Sequence, residues 1–274
     1  MTGTSPVATA FEKASADSRA ALVGYLPAGF PTVDGAIEAA RAMAGAGADI
    51  IEIGLPYSDP LMDGPVIAEA VHRSLQAGTH VGDVLHTVEA VAASGVAVLV
   101  MTYWNPIDQY GVDAFARDLA AAGGSGLITP DLPPEEAGAW LAASDAFGLD
   151  RVFLAAPSST DQRLATITGA CRGFVYAASL MGITGTRDAV SGDAVGLVQR
   201  IRPHTGLPVA VGIGVSNGAQ AAQVAEFADG VIVGTAFVRR LLEAADAGQP
   251  AAGTRATADL TTELAAAVRK KHAP

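Results

Sequence analysis

"IEIGLPYSDPLMDGP", residues 50–64, begins as an apolar run broken by one carboxylate and ends in a proline-bounded loop. A short, nearly continuous apolar run followed by turn residues reads as a buried strand, here Ile50–Ile53. Beyond the loop, Pro65 suits a first helical turn, and Gly78 falls just past the end of a helix. Between them Ile67, Val71 and Leu75 recur at helical spacing. The stretch is therefore the start of a strand–loop–helix unit. Its anomaly is Glu52, because an ionised carboxylate in an apolar wall is costly unless it is paired or its pKa moves. Glu52 has either a structural partner or a chemical task.

The same beat runs through the chain. Strand-like runs occur at Ala21–Leu26, Ile50–Ile53, Val96–Met101, Gly126–Thr129, Val152–Leu154, Phe174–Ala177, Val209–Gly212 and Gly230–Val233. Amphipathic segments lie between them, such as the one carrying Val84, Val88 and Val91 and the one carrying Phe115 and Leu119. Eight strands with intervening helices predict an α/β fold, a (β/α)8 TIM barrel with extra helices. A doubly wound open sheet is the alternative, but no "GxGxxG" opens the first unit. No Pro/Gly-rich linker divides the chain, so residues 1–274 are expected to form a single barrel domain. Ala244–Ala256 reads as a loop before a terminal helix.

Composition narrows the function. Of the 274 residues 50% are hydrophobic and only 5% aromatic, which suits a core of Ala, Val, Ile and Leu. A net charge of -11 argues against nucleic acid and anionic membrane surfaces as partners. The N-terminus has no signal-peptide pattern and no apolar run is long enough to span a bilayer, so a cytoplasmic location is expected. The single cysteine, Cys171, excludes an internal disulfide and a multi-cysteine metal site.

In a barrel, chemistry sits at the carboxyl ends of the strands. Glu52 lies near the end of the second strand, with Asp59 and Asp63 on the loop after it. Each has a structural reading too: Glu52 as half of an internal ion pair, Asp63 as a helix cap, Asp59-Pro60 as a turn. The glycine-rich "VGIGVSN" (211–217) and "VIVGTAF" (231–237) follow the seventh and eighth strands, where barrels commonly hold a phosphate. "GITGTR" (182–187), after the sixth strand, brings Gly185 to the same region. Backbone N–H groups at such loops bind an anion locally, which an acidic surface does not prevent, since its charge is screened within about 10 Å at ordinary salt.

What is missing is also informative. Lys13, Lys270 and Lys271 are the only lysines and lie near the chain ends, so no strand offers a Schiff-base lysine. The five histidines (72, 80, 86, 204 and 272) fall on helices, turns or the tail, so no histidine-bound metal is expected. Carboxylate general acid–base chemistry on a phosphorylated substrate remains.

Seven stretches, in order and at matching spacing, resemble the tryptophan synthase alpha chain family. They are "YLPAGFPT" from Tyr25, "IEIGLPYSDPLMDGP" from Ile50, "MTYWNPI" from Met101, "GLITPDLPPEEA" from Gly126, "YAASLMGITGTR" from Tyr176, "VGIGVS" from Val211 and "DGVIVGTAFV" from Asp229. The resemblance implies retro-aldol cleavage of indole-3-glycerol phosphate to indole and glyceraldehyde 3-phosphate. It implies Glu52 as the general acid–base, Asp63 as the partner of the indole N–H, and Tyr176 as a catalytic support. Substrate binding would fall to Tyr25, Met101 and Tyr103 around the indole and to Thr184, Gly185, Gly212, Gly214, Gly234 and Thr235, most of them in the phosphate cradle. No cofactor is implied for this chain; pyridoxal phosphate belongs on a partner beta chain, in an alpha2beta2 heterotetramer. Alternatives are a stand-alone lyase that releases free indole and a barrel that serves mainly to activate a partner. The chain departs from the pattern at Ala68, at Leu180-Met181 and at Thr235, none of them a catalytic position.

Overall fold

The computed structural model describes residues 5–178, 192–212 and 214–269. Among these residues eight parallel strands close into a barrel in chain order. They are β1 (Ala21–Pro27), β2 (Ile50–Gly54), β3 (Ala97–Met101), β4 (Gly126–Thr129), β5 (Asp150–Ala155), β6 (Val175–Ala178), β7 (Val209–Gly212) and β8 (Gly230–Val233). The helices of the first half are α1 (Pro6–Ala16), α2 (Val33–Gly45), α3 (Pro65–Gln76), α4 (Val81–Ala92), α5 (Trp104–Tyr110) and α6 (Val112–Ala121). Those of the second half are α7 (Gly138–Phe147), α8 (Asp161–Ala170), α9 (Gly192–Ile201), α10 (Gly218–Ala225), α11 (Thr235–Asp246) and α12 (Pro250–Ala267). The expected (β/α)8 fold is the observed one, and every expected strand is present within two residues at either end. No described helix is long and apolar enough to cross a membrane.

Side chains alternate across each strand. Val23, Ile50, Leu99, Ile128, Val152, Phe174, Ala210 and Ile232 point inward and make the barrel's own core. Val7, Phe11 and Ala14 of α1 join that core and close the barrel at the amino ends of the strands. There the Phe11 and Phe174 rings lie 5.4 Å apart. The opposite faces, with Leu22, Ile51, Val98, Leu127 and Val231, pack on the surrounding helices. With α1 stopping the lower end, the carboxyl ends of the strands are left as the mouth.

The expected loop Ala244–Ala256 is a correction. α11 continues to Asp246, Gly248 takes a left-handed turn (φ 67°), and Pro250 opens α12 at its first position. The stop signal Gly248 and the start signal Pro250 lie only two residues apart, and alanine, a strong helix former, fills both sides. α12 then packs against α2 and α11.

Candidate active site at the barrel mouth

Glu52 sits two residues after inward-facing Ile50, so the alternation of β2 aims it into the barrel. It is 1% exposed, and its Oε1 has no hydrogen-bond partner. No described cation acts on it; burial alone pushes its carboxyl up to about 8. The ion-pair reading of Glu52 therefore fails, and a buried, unpaired carboxyl with a pKa near neutrality remains.

Asp63 lies half-buried on the loop between β2 and α3. It does not cap: the residue flanking α3 is Gly64, which contributes no side-chain bond. Asp63 Oδ1 instead accepts a hydrogen bond of 3.2 Å from the Tyr103 hydroxyl. Burial raises the Asp63 carboxyl above its ordinary value, and the Tyr103 bond opposes that rise.

Two further tyrosines close around these carboxylates. Tyr25 of β1 is in register with Glu52, and Tyr176 of β6 with Leu154 of β5. Burial first, then the charges of Asp63 and Glu52, raise the Tyr25 hydroxyl well above its usual value. Burial and Glu52 do the same to Tyr176. Glu52, Asp63, Tyr25, Tyr103 and Tyr176 thus form one electrostatic group. Glycine makes room for it: a Cβ at Gly54 would lie 2.3 Å from the Tyr25 hydroxyl, and one at Gly212 would lie 2.4 Å from the Tyr176 hydroxyl. Gly212, expected to bind substrate, therefore abuts Tyr176. Met101 ends β3 and packs at the upper rim of the inner core.

The two glycine loops at the far side differ. α10 is already capped, since Asn217 Oδ1 accepts from the Gln220 N–H at 3.0 Å and Glu263 accepts from Gly218 at 2.6 Å. α11 has no side-chain cap; Gly234 flanks it and Thr235 begins it. The first amides of α11 have no partner within the helix. Gly234 lies against Tyr25, whose ring a Cβ would meet at 3.2 Å, so this helix end is at the mouth. Gly214 is exposed with a left-handed φ of 80°. Thr184 and Gly185 lie outside the described residues.

Sequence reasoning missed Gly54 and Tyr57, although both lie in its opening stretch. Tyr57 packs against Tyr103 with ring centroids 5.4 Å apart and the planes tilted by 35°. It also missed Asp150, buried at the start of β5, with Arg172 Nε 3.5 Å away and no hydrogen bond on either oxygen. Asp150 is at the other end of the barrel, beside a cavity of about 1240 Å³. The guanidinium groups there are engaged: Arg19 with Asp49, Arg172 with Asp145, and Arg202 with Asp229. Cys171 is buried at that end too, and burial pushes its thiol up to about 12.

Residues 11–269 match the family model described as tryptophan synthase alpha chain. The tryptophan synthase alpha chain of Thermobifida fusca is 62% identical over 260 residues, covering 94% of this chain and 95% of its own length. That of Mycobacterium avium is 57% identical over 263 residues, covering 96% of this chain and 94% of its own. Among solved structures, Mycobacterium tuberculosis tryptophan synthase superposes with a TM-score of 0.90 at 54% identity, covering 98% of this chain and 100% of that one. The alpha chain from Legionella pneumophila superposes at 0.87 with 32% identity, covering 97% of this chain and 98% of that one.

Proposed function

The chain belongs to the tryptophan synthase alpha chain family, and from that premise we propose which of its residues perform the family's reaction, and how. The protein is a lyase of tryptophan biosynthesis that cleaves indole-3-glycerol phosphate to indole and glyceraldehyde 3-phosphate. In our reading Glu52, protonated at neutral pH, gives its proton to the indole carbon that carries the glycerol chain. The ring becomes an indoleninium cation, with positive charge at its nitrogen. The Asp63 carboxylate accepts the indole N–H and stabilises that charge. Glu52, now ionised, takes the proton of the adjacent glycerol hydroxyl. The carbon–carbon bond breaks, its electron pair returns to the ring, and the carbinol carbon leaves as an aldehyde. Glu52 ends protonated and the proton balance is zero. Because the indoleninium is itself the electron sink, neither a Schiff base, a metal nor a cofactor on this chain is needed.

Tyr25, Met101 and Tyr103 would wall the indole, with Tyr176 supporting Glu52. The phosphate would rest on the amino end of α11 at Gly234 and Thr235, with Gly214, Gly212, Thr184 and Gly185 completing the binding surface. The observation that carries this reading is the unpaired Glu52 carboxyl, with a pKa of about 8, in the mouth of a barrel stoppered at its other end.

The partner in this reading is a tryptophan synthase beta chain carrying pyridoxal phosphate, in a cytoplasmic alpha2beta2 assembly built on a single barrel domain per alpha chain. Leu61 and Met62, exposed by 79% and 54% on the loop beside Asp63, support a docking surface there. The test is indole release by purified wild-type, Glu52→Gln and Asp63→Asn chains, with and without a beta chain. We expect a loss on the order of 10²-fold or more in both variants, and activation of the wild type by the beta chain. Full turnover by folded Glu52→Gln would refute its role. Fast wild-type turnover with no activation and no complex would favour a stand-alone lyase.

A further inference from the structure

The loop from Pro56 to Asp63 carries Asp63, yet among the described residues its backbone makes no hydrogen bond to other backbone. Among the described residues one side chain, that of Tyr103, ties it to the barrel. The Tyr103 hydroxyl accepts the Leu61 N–H at 3.1 Å and the Met62 N–H at 2.9 Å. The same oxygen lies 3.2 Å from Asp63 Oδ1. A phenol has one proton and two acceptor lone pairs. Both lone pairs are taken by N–H groups, so the single proton must point to Asp63, and that Asp63 oxygen must accept.

Tyr103 is itself firmly seated. Its carbonyl accepts from the Thr102 hydroxyl at 2.8 Å, and Thr102 N–H is held by Ile128 of β4 at 3.1 Å. The next amide, Trp104 N–H, is bound by the Asp131 carboxylate at 2.9 and 3.1 Å. Tyr103 is thus fixed through its backbone just beyond β3 and beside β4, and its hydroxyl is offered to a loop with few other anchors.

We propose that Tyr103 is a positioning residue, whose hydroxyl pins the Leu61–Asp63 segment to the barrel and, through its forced proton direction, holds Asp63 as an oriented acceptor for a substrate N–H. This rests on the reading of Asp63 as the indole partner and adds how that carboxylate is aimed. A hydrogen bond donated to an anion stabilises the anion. Burial raises the Tyr103 hydroxyl above its usual range, followed by the Met62 N–H bond that opposes the rise and the Asp63 charge that adds to it. The phenol therefore keeps its proton while Asp63 is ionised.

Tyr103→Phe tests this, because it keeps the ring against Tyr57 and removes only the hydroxyl. Carboxyl-carbon NMR of aspartate-labelled, substrate-free chain should show the Asp63 titration moving upward by on the order of one pH unit. In the cleavage assay kcat should fall about tenfold or more with a smaller change in KM, and the acid limb of the rate profile should move up with Asp63. Tyr110→Phe, which removes a hydroxyl bonded to Asp118 on the outer surface, should move neither. An unmoved Asp63 titration, or a loss confined to KM, would reduce Tyr103 to a pocket wall and overturn the proposal. Failure of the functional reading would look different: wild-type chain would not cleave indole-3-glycerol phosphate, while the NMR titration would still judge the Tyr103–Asp63 link.

Discussion

If Glu52 is buried unpaired as the fold places it, the residue proposed for catalysis should also weaken the protein, increasingly so as pH rises. Its carboxyl goes from an ordinary 4.5 to about 8 on folding. The native state therefore binds the proton more tightly than the unfolded chain, and stability falls as pH rises through the window between those values. Integrated with 1.36 kcal/mol per pH unit, the penalty is about 1 kcal/mol at pH 5, about 3 kcal/mol at pH 7 and about 5 kcal/mol at pH 9. Glu52→Gln cannot ionise and escapes this penalty. It brings its own fixed cost of about 1–3 kcal/mol, because its amide is buried where Oε1 already lacks a partner. That cost does not change with pH, so the informative quantity is a difference of differences. Urea unfolding of both proteins at pH 5 and pH 9 should show the variant gaining about 4 kcal/mol relative to wild type across that range. A stability difference that is flat with pH would refute the reasoning, because it would mean that Glu52 titrates as an ordinary or well-paired carboxylate. The proton chemistry assigned to it would then lose its physical basis even if activity fell.

Two further substitutions probe the walls of the mouth. Gly54→Ala puts a Cβ 2.3 Å from the Tyr25 hydroxyl and 2.7 Å from its ring. Tyr25 must swing away, so indole-site affinity should drop about tenfold with the fold intact by circular dichroism; an unchanged affinity would mean that Tyr25 does not touch the ligand. Gly234→Asp adds a carboxylate at the uncapped end of α11, so calorimetric binding of glycerol phosphate should become undetectable; retained binding would move the phosphate elsewhere.

Much of this was legible because parallel strands covered on both faces must be apolar along their whole length. That is why the eight runs stood out and why Glu52, breaking one of them, was conspicuous. The roles that escaped reading depend on what lies across space. "DGP" before α3 carries the local signature of a capped helix, yet Asp63 is bonded to Tyr103, forty residues away in sequence. "VGIGVSN" and "VIVGTAF" look equally able to bind an anion; the difference is that Asn217 and Glu263 already occupy the end of α10. Glycine was read as backbone freedom, but Gly54 is needed for the bulk of Tyr25. Asp150 was passed over because, at the start of a strand, a carboxylate breaks no apolar run.

The two ends of the barrel explain why only one of them is suited to proton chemistry. Both ends hold carboxylates removed from water. At the amino ends of the strands each has an arginine: Asp49 receives two bonds from Arg19, at 2.6 and 2.8 Å, Asp229 pairs with Arg202, and even Asp150 has Arg172 at 3.5 Å. A cation at this range favours the ionised form of a carboxylate and fixes its geometry. At Asp150, where the contact is long, burial still raises the carboxyl, but Arg172 and Arg151 oppose that rise. At the mouth no described cation acts on Glu52 or Asp63, and the neighbours are tyrosines that keep their protons. Burial then pushes both carboxyls upward without an opposing positive charge, and a hydrogen bond from Tyr103 restrains one of them but not the other. The outcome is two carboxyls with separated protonation preferences, Glu52 holding a proton at neutral pH and Asp63 more readily ionised. An acid and an anion side by side are what cleavage through an indoleninium requires, and an arginine in the mouth would erase that difference.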